Sequence, residues 1–132
     1  MGFVHASISL SNPRYPERRP VAVNALVDSA AYLTCIPQEL CEELNLDEAD
    51  RRPVQLADGS TTTTAYVGPL LLRFENRQSF GGALVMGNEV LIGAIAMEDM
   101  DVLIEPRAQK LIVNPEHPDH AGGFIGGVRP VR

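Results

Sequence analysis

Short apolar runs rich in β-branched residues, broken by closely spaced turn signals, take up most of this chain and confine it to a mostly-β fold. Phe3–Leu10 alternates, with Val4, Ala6, Ile8 and Leu10 on one parity, which predicts a half-buried strand. Val21–Val27 is apolar except for Asn24 and reads as a buried strand. Small and polar residues at Asp28–Tyr32 interrupt it, and Leu33–Ile36 resumes it briefly. Further strands are expected at Pro53–Leu56, Thr61–Tyr66, Gly68–Phe74, Phe80–Met86, Glu89–Ile92, Val102–Glu105 and Lys110–Val113. Ala57-Asp58-Gly59-Ser60 is a tight hairpin signal of the Asp-Gly type, and Glu75-Asn76-Arg77, Gly87-Asn88 and Pro106-Arg107 mark other turns. One clear helix is expected from Pro37 at its first position to about Asn45–Leu46, with Leu40, Cys41 and Leu44 as its apolar face. Ala94–Met100 is a shorter helix candidate. Many short strands around one clear helix describe a barrel-like domain.

Length and charge narrow the function. At 132 residues the chain is expected to be one domain, able to bury about two-thirds of its unfolded surface without disulfides or metal. Acids outnumber bases 17 to 11, for a net charge of −6, which argues against a nucleic-acid partner held by bulk charge. No apolar run approaches the ~20 residues of a membrane span, and residues 1–20 lack an apolar signal-peptide block. A cytoplasmic location and free thiols at Cys35 and Cys41 are therefore expected. His5, His117 and His120 lie far from either cysteine in sequence, so no zinc set and no other metal or cofactor is implied. Six acids within residues 38–50 read as a solvated helix face followed by a polar turn. Arg18-Arg19 and Arg51-Arg52 read as turn or strand-edge charges. Glycine and proline are dense after Pro115, so the expected division is a domain over residues 1–115 and a flexible or dimer-contacting tail over 116–132.

Chemistry concentrates in Asn24–Pro37. The strand Ala25-Leu26-Val27 runs directly into Asp28-Ser29-Ala30-Ala31, and a second apolar run ends at Cys35-Ile36-Pro37. A carboxylate between two buried strands is held close to the core and partly desolvated, at a cost to stability. The plainer role for such an Asp is to turn the chain through an Asx hydrogen bond. Val90-Leu91-Ile92-Gly93 taken alone is a buried strand and its stop, and Val54–Tyr66 is an exposed hairpin.

Their order carries more than any one of them. Leu26-Val27-Asp28-Ser29-Ala30-Ala31, then Cys35-Ile36-Pro37, a helix, a hairpin around Ala57-Asp58-Gly59, then Leu91-Ile92-Gly93 and the closing runs Val102–Pro106 and Leu111–Pro115 resemble the retropepsin-like aspartic proteases. The likeness is to the single-domain, retroviral-type proteases, especially the small bacterial members, and spans residues 3–115. It implies a closed or partly open retropepsin-like β-barrel, homodimeric, with one short-to-medium helix after the Asp loop and a second short one. It also implies an aspartic endopeptidase acting on a peptide or protein substrate, with no nucleic acid, membrane or cofactor involved. Asp28 would be the catalytic carboxylate. Ser29 would supply the hydroxyl that hydrogen-bonds across the dimer, and Ala30, Ala31, Leu91, Ile92 and Gly93 would support the loop. Ala57, Asp58, Gly59 and Ser60 would form the flap over substrate.

Aspartic proteolysis needs two carboxylates about 3 Å apart sharing a proton. The chain offers one suitable Asp loop: Asp99 and Asp101 sit in helical text, and Asp58 in a polar hairpin. A second Asp28 from a second copy must then complete the site. The family has Gly where this chain has Ala30, and a methyl there can crowd or narrow the substrate site. A retropepsin-like module that dimerises or binds peptides without cutting is the alternative, and an unrelated β binding domain is a third reading.

Overall fold

The computed structural model describes residues 3–127. The alternating N-terminal run forms β1 (Val4–Ser11), with Ala6, Ile8 and Leu10 buried. It pairs antiparallel with β2 (Val21–Val27), Val4 opposite Val27 and Leu10 opposite Val21. β3 (Cys35–Ile36) leads into helix α1 (Gln38–Glu43). β4 (Asp47–Gln55) and β5 (Thr61–Phe74) form a long hairpin, followed by β6 (Arg77–Val85) and β7 (Leu91–Ile92). Helix α2 (Ala94–Met100) precedes a separate two-stranded hairpin, β8 (Val102–Glu105) and β9 (Lys110–Val113).

Strand order is β1-β2-β7-β3-β6-β5-β4, and β1 also pairs with β5. Six strands thereby close a ring, which removes the free edges of its members. Of the seven strands of this sheet, β4 stays outside the ring, paired to the first half of β5. Leu10, Ile36 and Ile92 fill the ring from different strands and are fully buried, with Leu70, Leu72, Phe74, Val67 and Met100 packed among them. Burial of this apolar surface is the main term holding the barrel together.

Several boundaries move from the sequence expectation, each for a physical reason. β4 begins at Asp47 rather than Pro53, so Asp47, Glu48 and Asp50 lie on an exposed strand and not in a polar turn. Both faces of that segment meet solvent, so no period-2 apolar pattern betrays it. The strands expected on either side of Val67 are one strand, β5, bent by an irregularity between Val67 and Leu70 that turns it from the projecting hairpin into the barrel. Pro37 caps α1 from outside, and the helix stops at Leu44 because Asn45 adopts a left-handed φ of 53°. Leu33 and Thr34 are loop. Arg77, expected in a turn, opens β6 and is 1% exposed.

Arg77 and Asp101 tie the segment after β9 to the barrel. The Arg77 guanidinium donates to the His117 carbonyl and lies 4.0 Å from the Asp101 carboxylate. Asp101 accepts from the Asn114 side-chain amide at 3.0 Å, the Gly122 N–H at 2.8 Å and His117 Nδ1 at 2.6 Å. These donors, Asn114 first, hold its carboxyl down to about 2 against an ordinary 3.8. A carboxyl depressed on folding contributes stability that is complete above its unfolded value and lost as pH falls through the folded one. The described protein is therefore expected to lose stability between pH 3.8 and about 2 through Asp101. Asp101→Asn should flatten that part of an acid unfolding curve followed by circular dichroism. An unchanged acid limb would show that other carboxylates govern it. Expectations for the last part of the tail, 128–132, lie outside the described residues.

Candidate active site

β2 delivers Asp28 immediately after its C-terminal end. Leu26 N–H donates to the Val90 carbonyl at 2.9 Å and Asp28 N–H to the Ile92 carbonyl at 3.1 Å, continuing the parallel pairing of β2 with β7. Beyond Asp28 the chain turns at once. Ala31 N–H donates to the Asp28 carbonyl at 3.1 Å, and Ala30 N–H to Asp28 Oδ1 at 3.0 Å. The Asx bond expected of a plain turn is thus present, and it also fixes the carboxylate. Among the described residues Oδ2 has no protein partner. Asp28 is half-buried, Ser29 and Ala30 are exposed, and Ala31 is half-buried.

Gly93 explains why the run Leu91-Ile92-Gly93 matters. A Cβ built on Gly93 would stand 2.5 Å from the Leu33 carbonyl carbon, 2.6 Å from its oxygen and 2.9 Å from the Tyr32 oxygen. The loop after Asp28 therefore packs backbone to backbone against the β7–α2 junction, which only glycine allows. Ala94 N–H donates to the Ala31 carbonyl at 2.8 Å and Ile95 N–H to the Tyr32 carbonyl at 3.2 Å. The buried Thr34 Oγ1 accepts from Gly93 N–H at 3.4 Å. Ile92 and Gly93 thus back the Asp loop from behind.

In front of the loop lies a groove of about 640 Å³. It is lined by Asp28, Ala30 and Ala31 of the Asp loop, by Leu33, Cys35, Leu84, Met86 and Leu91 of the barrel, and by Arg52 to Ala57 of the β4 arm. Along that arm Arg52, Val54 and Leu56 are half-buried while Arg51, Pro53 and Gln55 are exposed, so the first three share the inward face. The hairpin tip is a tight turn: Gly59 has a φ of 88°, Ser60 N–H and Oγ bond Asp58 Oδ1 at 2.9 and 2.5 Å, and Leu56 N–H donates to the Ser60 carbonyl at 2.7 Å. Of the expected flap residues, Ala57 borders the groove, while Asp58, Gly59 and Ser60 form the tip beyond it.

No family model and no curated protein matches this chain. Solved structures do. The retroviral protease-like domain of Ddi1 from Leishmania major is 15% identical, with a TM-score of 0.54 over 85% of this chain and 90% of that one. Simian foamy virus (mac) protease is 14% identical, with a TM-score of 0.51 over 70% of this chain and 90% of that one. The fold is retropepsin-like.

Within this retropepsin-like barrel, the residues expected from sequence to act together, Asp28 to Ala31 and Leu91 to Gly93, do meet. Ala30 departs from the glycine of the family pattern without backbone strain: it is absent from the left-handed region that needs glycine, and its N–H is satisfied by Asp28. Ala30 is exposed and borders the groove rather than packing in the core. Cys35 also borders the groove, but burial and then the Asp28 charge push its thiol pKa up. A raised thiol pKa disfavours the thiolate, the nucleophilic form of cysteine. Among the described residues no cluster of three or more His, Cys, Asp or Glu is placed to hold a metal ion, and no helix is long and apolar enough to cross a membrane. Sequence reasoning missed Arg52, which it left as an edge charge. The alternation Arg52, Val54, Leu56 was the available signal.

Proposed function

We propose that this chain is half of an aspartic endopeptidase, completed when two copies bring their Asp28 loops together about a two-fold axis. The observation that carries this reading is a single half-buried carboxylate, fixed by the Ala30 N–H, standing in the wall of a peptide-sized groove on a retropepsin-like barrel. In the dimer one Asp28 is ionised and the other protonated, because two carboxylates about 3 Å apart hold one proton between them. The ionised Asp28 takes a proton from water as the water oxygen bonds to the scissile carbonyl carbon. The protonated Asp28 gives its proton to the carbonyl oxygen, forming a gem-diol. The diol returns one hydroxyl proton to the now-ionised carboxylate, the C–N bond breaks, and the leaving nitrogen takes the proton of the other carboxyl. The β4–β5 hairpin covers the groove and excludes water other than the nucleophile. Ser29, exposed at the loop, is free to hydrogen-bond across the two-fold axis.

The test is a diverse peptide pool incubated from about pH 3 to about pH 8, with cuts mapped by mass spectrometry and association state read by light scattering. Cleavage with a bell-shaped pH profile from a dimer supports the reading. A dimer that binds peptides and cuts none supports the peptide-binding module instead. A monomer that does neither removes both.

Ala30→Gly reads the one departure from the family pattern. It is expected to raise kcat/KM for peptides with bulky residues at the cut by up to about tenfold, with a stability loss of less than about 1 kcal/mol. Equal rates for Ala and Gly would show that the methyl group does not meet substrate.

A further inference from the structure

Among the described residues lining the groove that Asp28 borders, Arg52 supplies the positive charge. Its guanidinium stacks on the Tyr66 ring, 3.9 Å from the centroid, so the planar fork is held before any ligand arrives. Room for that ring exists because residue 82 is glycine: a Cβ there would meet Tyr66 at 2.7 Å. The guanidinium's neighbouring acid is Asp50, whose contact with Nε is long at 3.5 Å. Glu48 is engaged instead with Arg51 at 3.3 Å. Among the described residues the two outer nitrogens of Arg52 have no acceptor. A preorganised fork with its two outer donors free is a carboxylate receptor.

The spacing says where that carboxylate sits. Arg52 and Val54 lie two residues apart on the same inward face of β4. An extended peptide repeats its own same-face side chains at about 6.6 Å, the same interval. An apolar side chain against Val54, Leu84 and Met86 therefore places the side chain two positions away over Arg52. We propose that Arg52 is a specificity-determining residue, selecting peptides that carry Asp or Glu two positions from the apolar residue held beside Asp28. This rests on the reading that an extended peptide lies in this groove. Asp50 screens the guanidinium and the chain as a whole is acidic, so the preference is modest, about fivefold.

A matched set of peptides tests it, identical except for Glu, Gln or Lys two positions from a central Leu. Cleavage of each is measured as kcat/KM, and binding to the Asp28→Asn protein by fluorescence anisotropy. Wild-type protein should favour Glu over Gln about fivefold, more at low salt. Arg52→Gln should bring the ratio to one, and Arg52→Glu should shift the preference to Lys, a rescue that a merely structural role for Arg52 would not produce. Equal handling of Glu and Gln by the wild type, or a Glu preference surviving in Arg52→Gln, overturns the inference and leaves the protease reading standing. Peptides that are neither bound nor cut overturn the reading of the groove and this inference with it.

Discussion

Asp28→Asn is expected to lower peptide cleavage by about a thousandfold while the fold survives. The amide oxygen of Asn can still accept the Ala30 N–H, so the turn after β2 keeps its bond and stability should change by less than about 1 kcal/mol. The more telling measurement is the mixture. If each site needs Asp28 from both copies, equal amounts of wild-type and Asp28→Asn protein, allowed to exchange, leave active pairs only where both partners are wild type. Activity should then fall to about a quarter of that of undiluted wild type, the statistical share of such pairs. Sites that work with one Asp28 each would keep about half. Cuts that persist in pure Asp28→Asn protein would assign the hydrolysis to some other group. A bell-shaped pH profile should vanish along with the activity, since it reports a pair of carboxyls holding one proton.

The Asp28 loop was legible because its determinants are local. An apolar strand entering Asp and small residues announces a carboxylate at a strand end, and the later Leu91-Ile92-Gly93 gives it a backing strand. The Asp58-Gly59 turn was legible for the same reason, its φ of 88° at Gly59 being written in the residue. Helix α2 and the hairpin of β8 and β9 also match expectation residue for residue. What escaped depends on contacts distant in sequence. Arg77 follows Glu75-Asn76 and reads as turn, yet its partner carbonyl is 40 residues on, at His117. The N-terminal half of β4 has two wet faces, so only its pairing to β5 makes it a strand. Arg52 looked like one of an adjacent basic pair, and only the ring of Tyr66 across the hairpin turns it into an oriented group. Gly93, expected to stop a strand and to support the Asp28 loop, is the point where two backbones touch and where α2 begins, a contact with Leu33 that no local pattern announces.

That contact makes Gly93→Ala the most damaging small substitution expected in the protein. The added methyl meets backbone atoms of Leu33 at 2.5 and 2.6 Å, and backbone cannot rotate aside as a side chain would. Relief requires the loop or the β7–α2 junction to move, which strains the bonds from Ala94 to Ala31 and from Ile95 to Tyr32. Destabilisation of about 3 kcal/mol follows from overpacking of this kind, a fall in Tm of roughly 10 °C for a domain this size. Gly81→Ala is the control, since a Cβ there meets nothing within 4 Å and its melting should stay near wild type. Catalysis should suffer beyond the loss of folded protein. The displaced segment is the one that carries Asp28, and a shift of about 1 Å in a reacting group costs on the order of a hundredfold in rate. Assayed well below its Tm, Gly93→Ala should therefore be folded and nearly inactive. A variant that melts early but cuts at the wild-type rate would mean that the Asp28 loop holds its place without the backbone contact at Gly93, and that β7 stabilises the barrel without positioning the carboxylate.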